Sequence, residues 1–170
     1  LPDVQAVAPI MVVSGSDRAG NNEPRNTPVV ATSPDLAIIA DFPVRDGQFI
    51  DSQTNPDTAV MGSQLAVDLF GTDQAIGKTF KIRGKTFTVI GVLKPINRPI
   101  NYNNVDFDHA AIISLDSGKA FNQNTVQLQQ IDIKAMTAEK LAGVVKTARL
   151  SLDRAHNGEK DYSVLSGSDL

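Results

Sequence analysis

Cysteine is absent from the 170 residues. That removes disulfides, thiolate zinc sites and thiol nucleophiles together. It leaves the compartment open, because Cys-free chains suit an oxidising exterior and many cytosolic domains alike. Tryptophan is missing too and the aromatic share is 5%, so Leu, Ile, Val and Ala must fill any core. A surplus of one charge is also lacking: 16 Lys and Arg against 19 Asp and Glu give a net charge of −3. This balance excludes the basic stripe that nucleic-acid binding needs and the polybasic patch of a membrane-surface binder. No run approaches the roughly 20 apolar residues that cross a bilayer, and no signal-peptide pattern is present. The chain opens on Leu1-Pro2 without Met, which leads us to expect a mature or excised segment.

What is present is a 41% apolar content, enough for one ordinary domain or two small interlocked ones. Val4 to Val13 predicts a strand with Val4, Val7, Ile10, Val12 and Val13 inward, and Pro9 predicts an edge position or a bulge. Val29–Ala31 predicts a short strand. Ser33-Pro34-Asp35 has the pattern of a helix start, leading into Leu36, Ile38 and Ile39. Thr58–Met61 predicts a strand, followed by a helix with Leu65, Ala66, Leu69 and Phe70 on one side and Gly71 as its stop. Thr79 to Leu93 is the clearest element. Phe80 and Ile82 alternate with Lys81 and Arg83, Gly84 marks a turn, and Phe87, Val89, Ile90, Val92 and Leu93 return. The return strand is apolar on both faces, which predicts a central strand covered on both sides.

Ala110–Ser114 then predicts a buried strand, Leu115–Phe121 a short helix and Val126–Lys134 another strand. From Thr137 a long helix carries Leu141, Val144, Val145, Ala148 and Leu152 at helical spacing, and Tyr162–Leu165 predicts a last strand. Residues 14–27 (SGSDRAGNNEPRNT) and 95–108 (PINRPINYNNVDFD) predict two long polar loops. No internal repeat is visible. The order is βαβ-like at both ends with a hairpin-rich middle. It predicts an α+β fold: residues 1–32 and 109–170 form an α/β subdomain, into which a β-rich subdomain, residues 33–108, is inserted with its hairpin and short helices.

Each candidate for chemistry has a plainer reading. Gly71 to Thr79 (GTDQAIGKT) suggests a phosphate loop, but five residues separate the first Gly from Gly77-Lys78 where that motif has four. Its context is inverted as well, helix before and strand after, whereas phosphate binding uses a strand, a loop and then a helix N-terminus. His109 beside Asp106 and Asp108 could begin a metal site, but the only other histidine, His156, lies far off at a helix end, where the helix dipole suits it. Asp106 and Asp108 have no apolar pocket in sequence to tune them as an acid–base pair. Ser14-Gly15-Ser16 and Ser166-Gly167-Ser168 lack the nucleophile-elbow pattern. Lys134, Lys140, Lys146, Arg149 and Arg154 interleave with Glu139 and Asp153 as on a solvated helix face. The residues therefore point to no catalytic, cofactor or metal site, and to a non-catalytic domain.

The stretch Thr58 to Leu93, TAVMGSQLAVDLFGTDQAIGKTFKIRGKTFTVIGVL, resembles the extracytoplasmic domain of MacB-type ABC-transporter permeases. The likeness rests on Val60 and Gly62, on Leu69-Phe70-Gly71, on Ile76-Gly77-Lys78, and on Phe87 with Val89-Ile90-Gly91-Val92-Leu93. Leu1-Pro2-Asp3-Val4 is similar to that family's opening, with Asp3 where Gly is usual. Val44 to Phe49 and Asp161 to Val164 are similar to two further family segments.

The resemblance implies a porter-like α/β subdomain carrying an inserted β-rich one, held outside the cytoplasmic membrane between two transmembrane helices. It implies a mechanical role: motion driven by an ABC ATPase on another domain or chain reaches this domain, which engages a membrane-fusion-type adaptor or an exported substrate, in efflux or lipoprotein release. A second permease copy completes a dimer. Under this reading the two polar loops are the partner surface, with Arg18, Arg25, Asn97, Arg98 and Tyr102 as candidate contacts. The alternative is a free-standing ligand-binding or hydrolytic domain, which would need a pocket with converging polar groups.

Overall fold

The computed structural model describes residues 2–14, 27–51, 56–96, 105–121, 130–155 and 157–158. They form a mixed α+β fold that divides into two compact units: Leu1–Val7 with Ile133–Leu170, and Ala8–Asp132. This division differs from the boundaries expected at 32/33 and 108/109. A hydrogen-bonded ladder joins the expected insert to the subdomain expected around it. Strand β7 (Ala111–Ser114) pairs in parallel with β2 (Pro28–Thr32) on one side and antiparallel with β4 (Thr58–Met61) on the other.

The larger unit is built on one sheet. Its strand order is β3 (Val44–Gly47), β6 (Lys85–Leu93), β4, β7, β2 and then β1 (Val4–Ser14), with β5 (Thr79–Ile82) paired to β6. The β5–β6 hairpin turns at Arg83 and Gly84, both at positive φ (48° and 82°). Two positive φ angles give the turn whose twist matches that of paired strands. The return strand is central as predicted, with β4 along one edge and β5 and β3 along the other.

Side chains alternate between the faces of a strand, and here both faces are buried. Met11, Val13, Val29, Ala31, Ala59, Met61, Phe87, Val89, Ala111 and Ile113 share one cluster. Helices α2 (Ser63–Phe70) and α3 (Leu115–Phe121) cover it through Leu65, Ala66, Leu115 and Phe121. Ala8, Ile10, Val30, Val60, Leu93 and Ile112 share the other cluster, with α1 (Leu36–Ala40), Phe42, Ile50 and Phe107. In β6 the inward series passes from Phe87 and Val89 to Val92, an odd-to-even switch. The cause is a bulge: the register against β4 shifts between Val89 and Gly91, and one extra residue exchanges the faces. Gly91 sits at that point because the carbonyl of Gln48 lies 2.1 Å from where a Cβ would be.

Strand β1 departs from its predicted pattern. Ile10 and Val13 are buried, but so are Ala8 and Met11, whereas Val4 and Val12 are half-buried and Val7 is exposed. A strand buried on both faces has no single inward set, and small Ala8 fills one of its positions. The ladder with β2 begins at Ile10. Pro9, which has no N–H to donate, therefore precedes that ladder, and β1 is not an edge strand. Helix α1 starts at Leu36 behind Asp35, later than Ser33-Pro34 suggested, and leaves Ile38 exposed.

In the smaller unit β1 begins, and β8 (Gln130–Ala135) is its neighbour. The Met136 amide donates to the Asp3 carbonyl (2.9 Å), and Lys140 Nζ donates to the Asp3 carboxylate. A 3-10 turn, Ala138–Lys140, leads into α4 (Leu141–Ala155), which buries Val144 and Ala148. Asn157 and Gly158 adopt positive φ, and the Gly158 amide donates to the Asp153 carbonyl. The predicted strand Tyr162–Leu165 and residues 126–129 lie outside the described residues.

Gly62 gives the sharpest test of the packing. A Cβ there would lie 2.1 Å from the Phe107 carbonyl oxygen and 2.4 Å from that of Asp108, both backbone atoms. We expect Gly62→Ala to lower unfolding free energy by about 2 kcal/mol or more, measured by urea denaturation. An unchanged midpoint would contradict the close backbone approach.

Candidate functional site

The registers of the larger unit place several segment ends together. Val29 lies beside Ala111 in the parallel β2–β7 pair, and Ala111 lies opposite Met61 in the antiparallel β7–β4 pair. Met61 in turn lies beside Val92 of β6. The start of β2, the start of β7, the end of β4 and the end of β6 therefore share one end of the sheet. Ser14, the last residue of β1, pairs with Pro28 at the same end. Both predicted polar loops thus have their described roots here: Ser14 and Thr27 for one, Ile96 and Val105 for the other. Strand β1 enters the sheet at the opposite end, where Ile10 pairs with Thr32, about 13 Å away at the usual rise per residue.

The roots of the second segment are firmly tied. The Ile96 amide donates to Asp108 Oδ1 (2.9 Å), so one side chain joins the point where the chain leaves to the point where it returns. Ser63 Oγ, at the start of α2, lies 3.5 Å from the same oxygen. Phe107 is 3% exposed and packs its ring 4.8 Å from that of Phe42. Residues 107–109 form a 3-10 turn whose Asp106 carboxylate accepts from the Asp108 amide (3.0 Å). The Gly62 amide donates to the Ala110 carbonyl (2.9 Å). The predicted loop over 95–108 is therefore structured at both ends.

His109 belongs to this cluster. Its Nδ1 lies 2.7 Å from Asp106 Oδ2, and its Nε2 faces Asp68 Oδ2 of α2 at 3.8 Å. The two carboxylates address opposite ring nitrogens, so they do not converge on one point as metal ligands must. Among the described residues no group of three His, Asp or Glu side chains is arranged to hold a metal.

Residues 71–79 are occupied by their own structure. The Gly77 amide donates to the Val89 carbonyl (2.8 Å), the Lys78 amide to the Ala75 carbonyl (3.0 Å), and Ala75 is fully buried. Arg45 of β3 grips the segment: Nη1 donates to Asp73 Oδ2 (2.6 Å) and Nη2 to the Asp73 carbonyl (2.7 Å), while Nε donates to Asp46 Oδ2 (2.8 Å). The Asp46 hydrogen bond, followed by the charges of Asp73 and Asp46 and opposed by slight burial, raises the Arg45 pKa above its ordinary value. The amides of Gly77 and Lys78 are thus engaged by carbonyls of the chain itself.

Arg18, Arg25, Asn97, Arg98 and Tyr102, the candidate contacts, all lie outside the described residues, as does His156. The structure adds roles the sequence reading did not assign: Phe107 and Asp108 as anchors of the second root, Gly62 as the close contact beneath them, and Arg45 as a clamp on Asp73. Phe107 carried a signal, being the single aromatic near the end of a polar stretch and just ahead of an apolar strand. Asp108 carried none, since its partners are a backbone amide twelve residues earlier and a serine on another element. On α4, Lys146, Arg149 and Arg154 are exposed in company with acids, the solvated face expected.

Comparison with known proteins points one way. The chain is 25% identical over its full length to the pyoverdine export ATP-binding/permease protein PvdT of Pseudomonas syringae pv. tomato, and 22% identical to the macrolide export ATP-binding/permease protein MacB of Wolinella succinogenes. It spans about a quarter (26%) of the length of each. The extracellular domain of the ABC-type transporter YknZ from Gram-positive bacteria has a similar fold, with TM-score 0.77 at 18% identity, covering 97% of this chain and 83% of that one. The periplasmic region of MacB from Actinobacillus actinomycetemcomitans gives TM-score 0.73 at 16% identity, covering 99% and 74%. The family described as the MacB-like periplasmic core domain matches residues 1–149, and this chain belongs to that family.

Proposed function

We propose that this chain is the extracytoplasmic domain of a membrane ABC-transporter permease, where it couples ATP-driven movement of transmembrane helices to an adaptor or an exported substrate. Membership of the periplasmic core family supports the compartment. The names of longer relatives, ATP-binding/permease proteins, support an ATPase on a separate domain or chain. The observation that carries the mechanical part is the geometry of the larger unit. Displacement arriving along β1 meets a sheet that is hydrogen-bonded across its width and buried on both faces. Such a body moves as a unit, because close-packed interiors transmit strain and do not absorb it. The roots of both polar segments sit at the far end of that body.

In this reading Arg18, Arg25, Asn97, Arg98 and Tyr102 contact a membrane-fusion-type adaptor or the exported molecule, and a second permease copy completes the transporter. No cofactor is assigned to the domain. The names of the relatives, pyoverdine export and macrolide export, support export as the class of process, while the fold alone does not fix a substrate.

Replacing residues 97–104 with a short Gly-Ser link in the complete transporter tests the proposal. Ile96 and Phe107 must stay, because both belong to the core cluster. We expect basal ATPase activity to hold while adaptor capture or transport falls by about tenfold or more, a loss of roughly 1.4 kcal/mol of engagement. Undiminished transport and adaptor capture would place the working surface elsewhere. A second measurement addresses the ATPase. Millimolar Mg-ATP should leave the melting temperature of the isolated chain unchanged, because a ligand stabilises only what it binds. A rise of several degrees would overturn the separation of ATPase and domain.

A further inference from the structure

We propose that His109 is a proton-operated clasp between the turn preceding β7 and helix α2. The ring stands between two carboxylates, Asp106 on its own turn and Asp68 on α2, one at each nitrogen. Each carboxylate is already steadied through its other oxygen. Asp106 Oδ1 accepts from the Asp108 amide (3.0 Å), and Asp68 Oδ1 accepts from Gln64 Nε2 (3.0 Å). The oxygens left over, Oδ2 in both, face the imidazole. Asp108, the remaining acid on the turn, directs its carboxylate to the Ile96 amide and Ser63 Oγ.

Hydrogen-bond chemistry then fixes what a proton does. An ionised carboxylate only accepts, so the 2.7 Å contact with Asp106 requires a proton on Nδ1. The neutral ring is therefore held in the Nδ1–H tautomer, with a bare Nε2 lone pair facing the Asp68 carboxylate at 3.8 Å. That side of the ring contributes no tie. A second proton, on Nε2, places a positive charge between two negative ones, with Asp68 Oδ2 at ion-pair distance, 3.8 Å. Gain of a proton at Nε2 therefore closes the clasp, and its loss opens it.

The place of this ring gives the switch its meaning. Asp106 and Asp108 are the root of the segment that leaves at Ile96, and α2 starts one residue after Gly62, which touches the same turn. A proton on His109 fastens that root to α2. The clasp stands on geometry alone and is independent of the transport reading.

Two measurements on the full chain test it. In a His156→Gln background His109 is the only imidazole, and its ring nitrogens can be followed by NMR. At pH 8 we expect the Nδ1–H tautomer. A predominance of the Nε2–H form, usual for free imidazole, would overturn the proposal. Second, the melting temperatures of wild type and Asp68→Asn are compared at pH 8 and pH 5.5 in low salt. Asn keeps the shape of Asp68 and an oxygen for Gln64 but removes the charge. The wild-type advantage should grow by about 1–3 °C at the lower pH, the scale of a part-exposed ion pair in a chain of this size. An advantage that is equal at both pH values would show that no proton links the two elements.

Discussion

Everything in the larger unit depends on strand Lys85–Leu93 being bonded along both edges and buried on both faces. Its hairpin partner, β5, could not stand alone with β6, since two strands without a covering layer are marginal in water. Burial of Phe87 and Val89 on one face and Leu93 on the other fixes where the covering helices must lie. Alternate side chains of the strand serve the two clusters, and the bulge at Gly91 exchanges which of them faces which. Strand β3 pairs with the end of β6, and from it the Arg45 guanidinium reaches Asp73.

The same sheet decides what can be displayed and where. Parallel pairing of β2 with β7 and antiparallel pairing of β7 with β4 send the chain to one end of the sheet repeatedly. Segments that leave from that end share a foundation although they are far apart in sequence. At the second root the foundation is backbone against backbone: Gly62 lies under the carbonyls of Phe107 and Asp108 with no side chain between. A contact of that kind holds position more tightly than any arrangement of long side chains, because it has no rotamers to lose.

Much of this was legible in the sequence. The hairpin, helices α2 and α3, the apolar stripe of α4 and the two-faced burial of β6 follow from residue spacing, and the structure reproduces them. The family was readable from Thr58 to Leu93, and its model matches residues 1–149. Reading failed where pairing is non-local. The expected insert, residues 33–108, was set apart from the chain ends around it, yet β4 of that insert bonds to β7 outside it, and the compact units divide at 7/8 and 132/133. The inward set of β1 failed because alternation is uninformative when both faces are covered. Asp108 was legible only as a candidate for metal or acid–base chemistry, and its anchoring of Ile96 could not be read, since a carboxylate's partners are fixed by tertiary approach and not by its own neighbours. The five residues proposed as contacts lie in stretches whose composition marks a surface but not its geometry.

The pairing of Val29 with Ala111 spans about 80 positions of chain. Such distant partners must wait for each other, because closing a long loop costs entropy before any contact repays it. In a chain delivered through a membrane from its N-terminus, β1 and β2 would emerge first and remain without β7 until more than half the domain had crossed. During that interval Val29, Val30 and Ala31, all fully buried in the finished sheet, would stand open to the solvent. The topology that ties this sheet together across its width thus leaves its early strands uncovered until late, and under that order of delivery assembly would be the vulnerable stage.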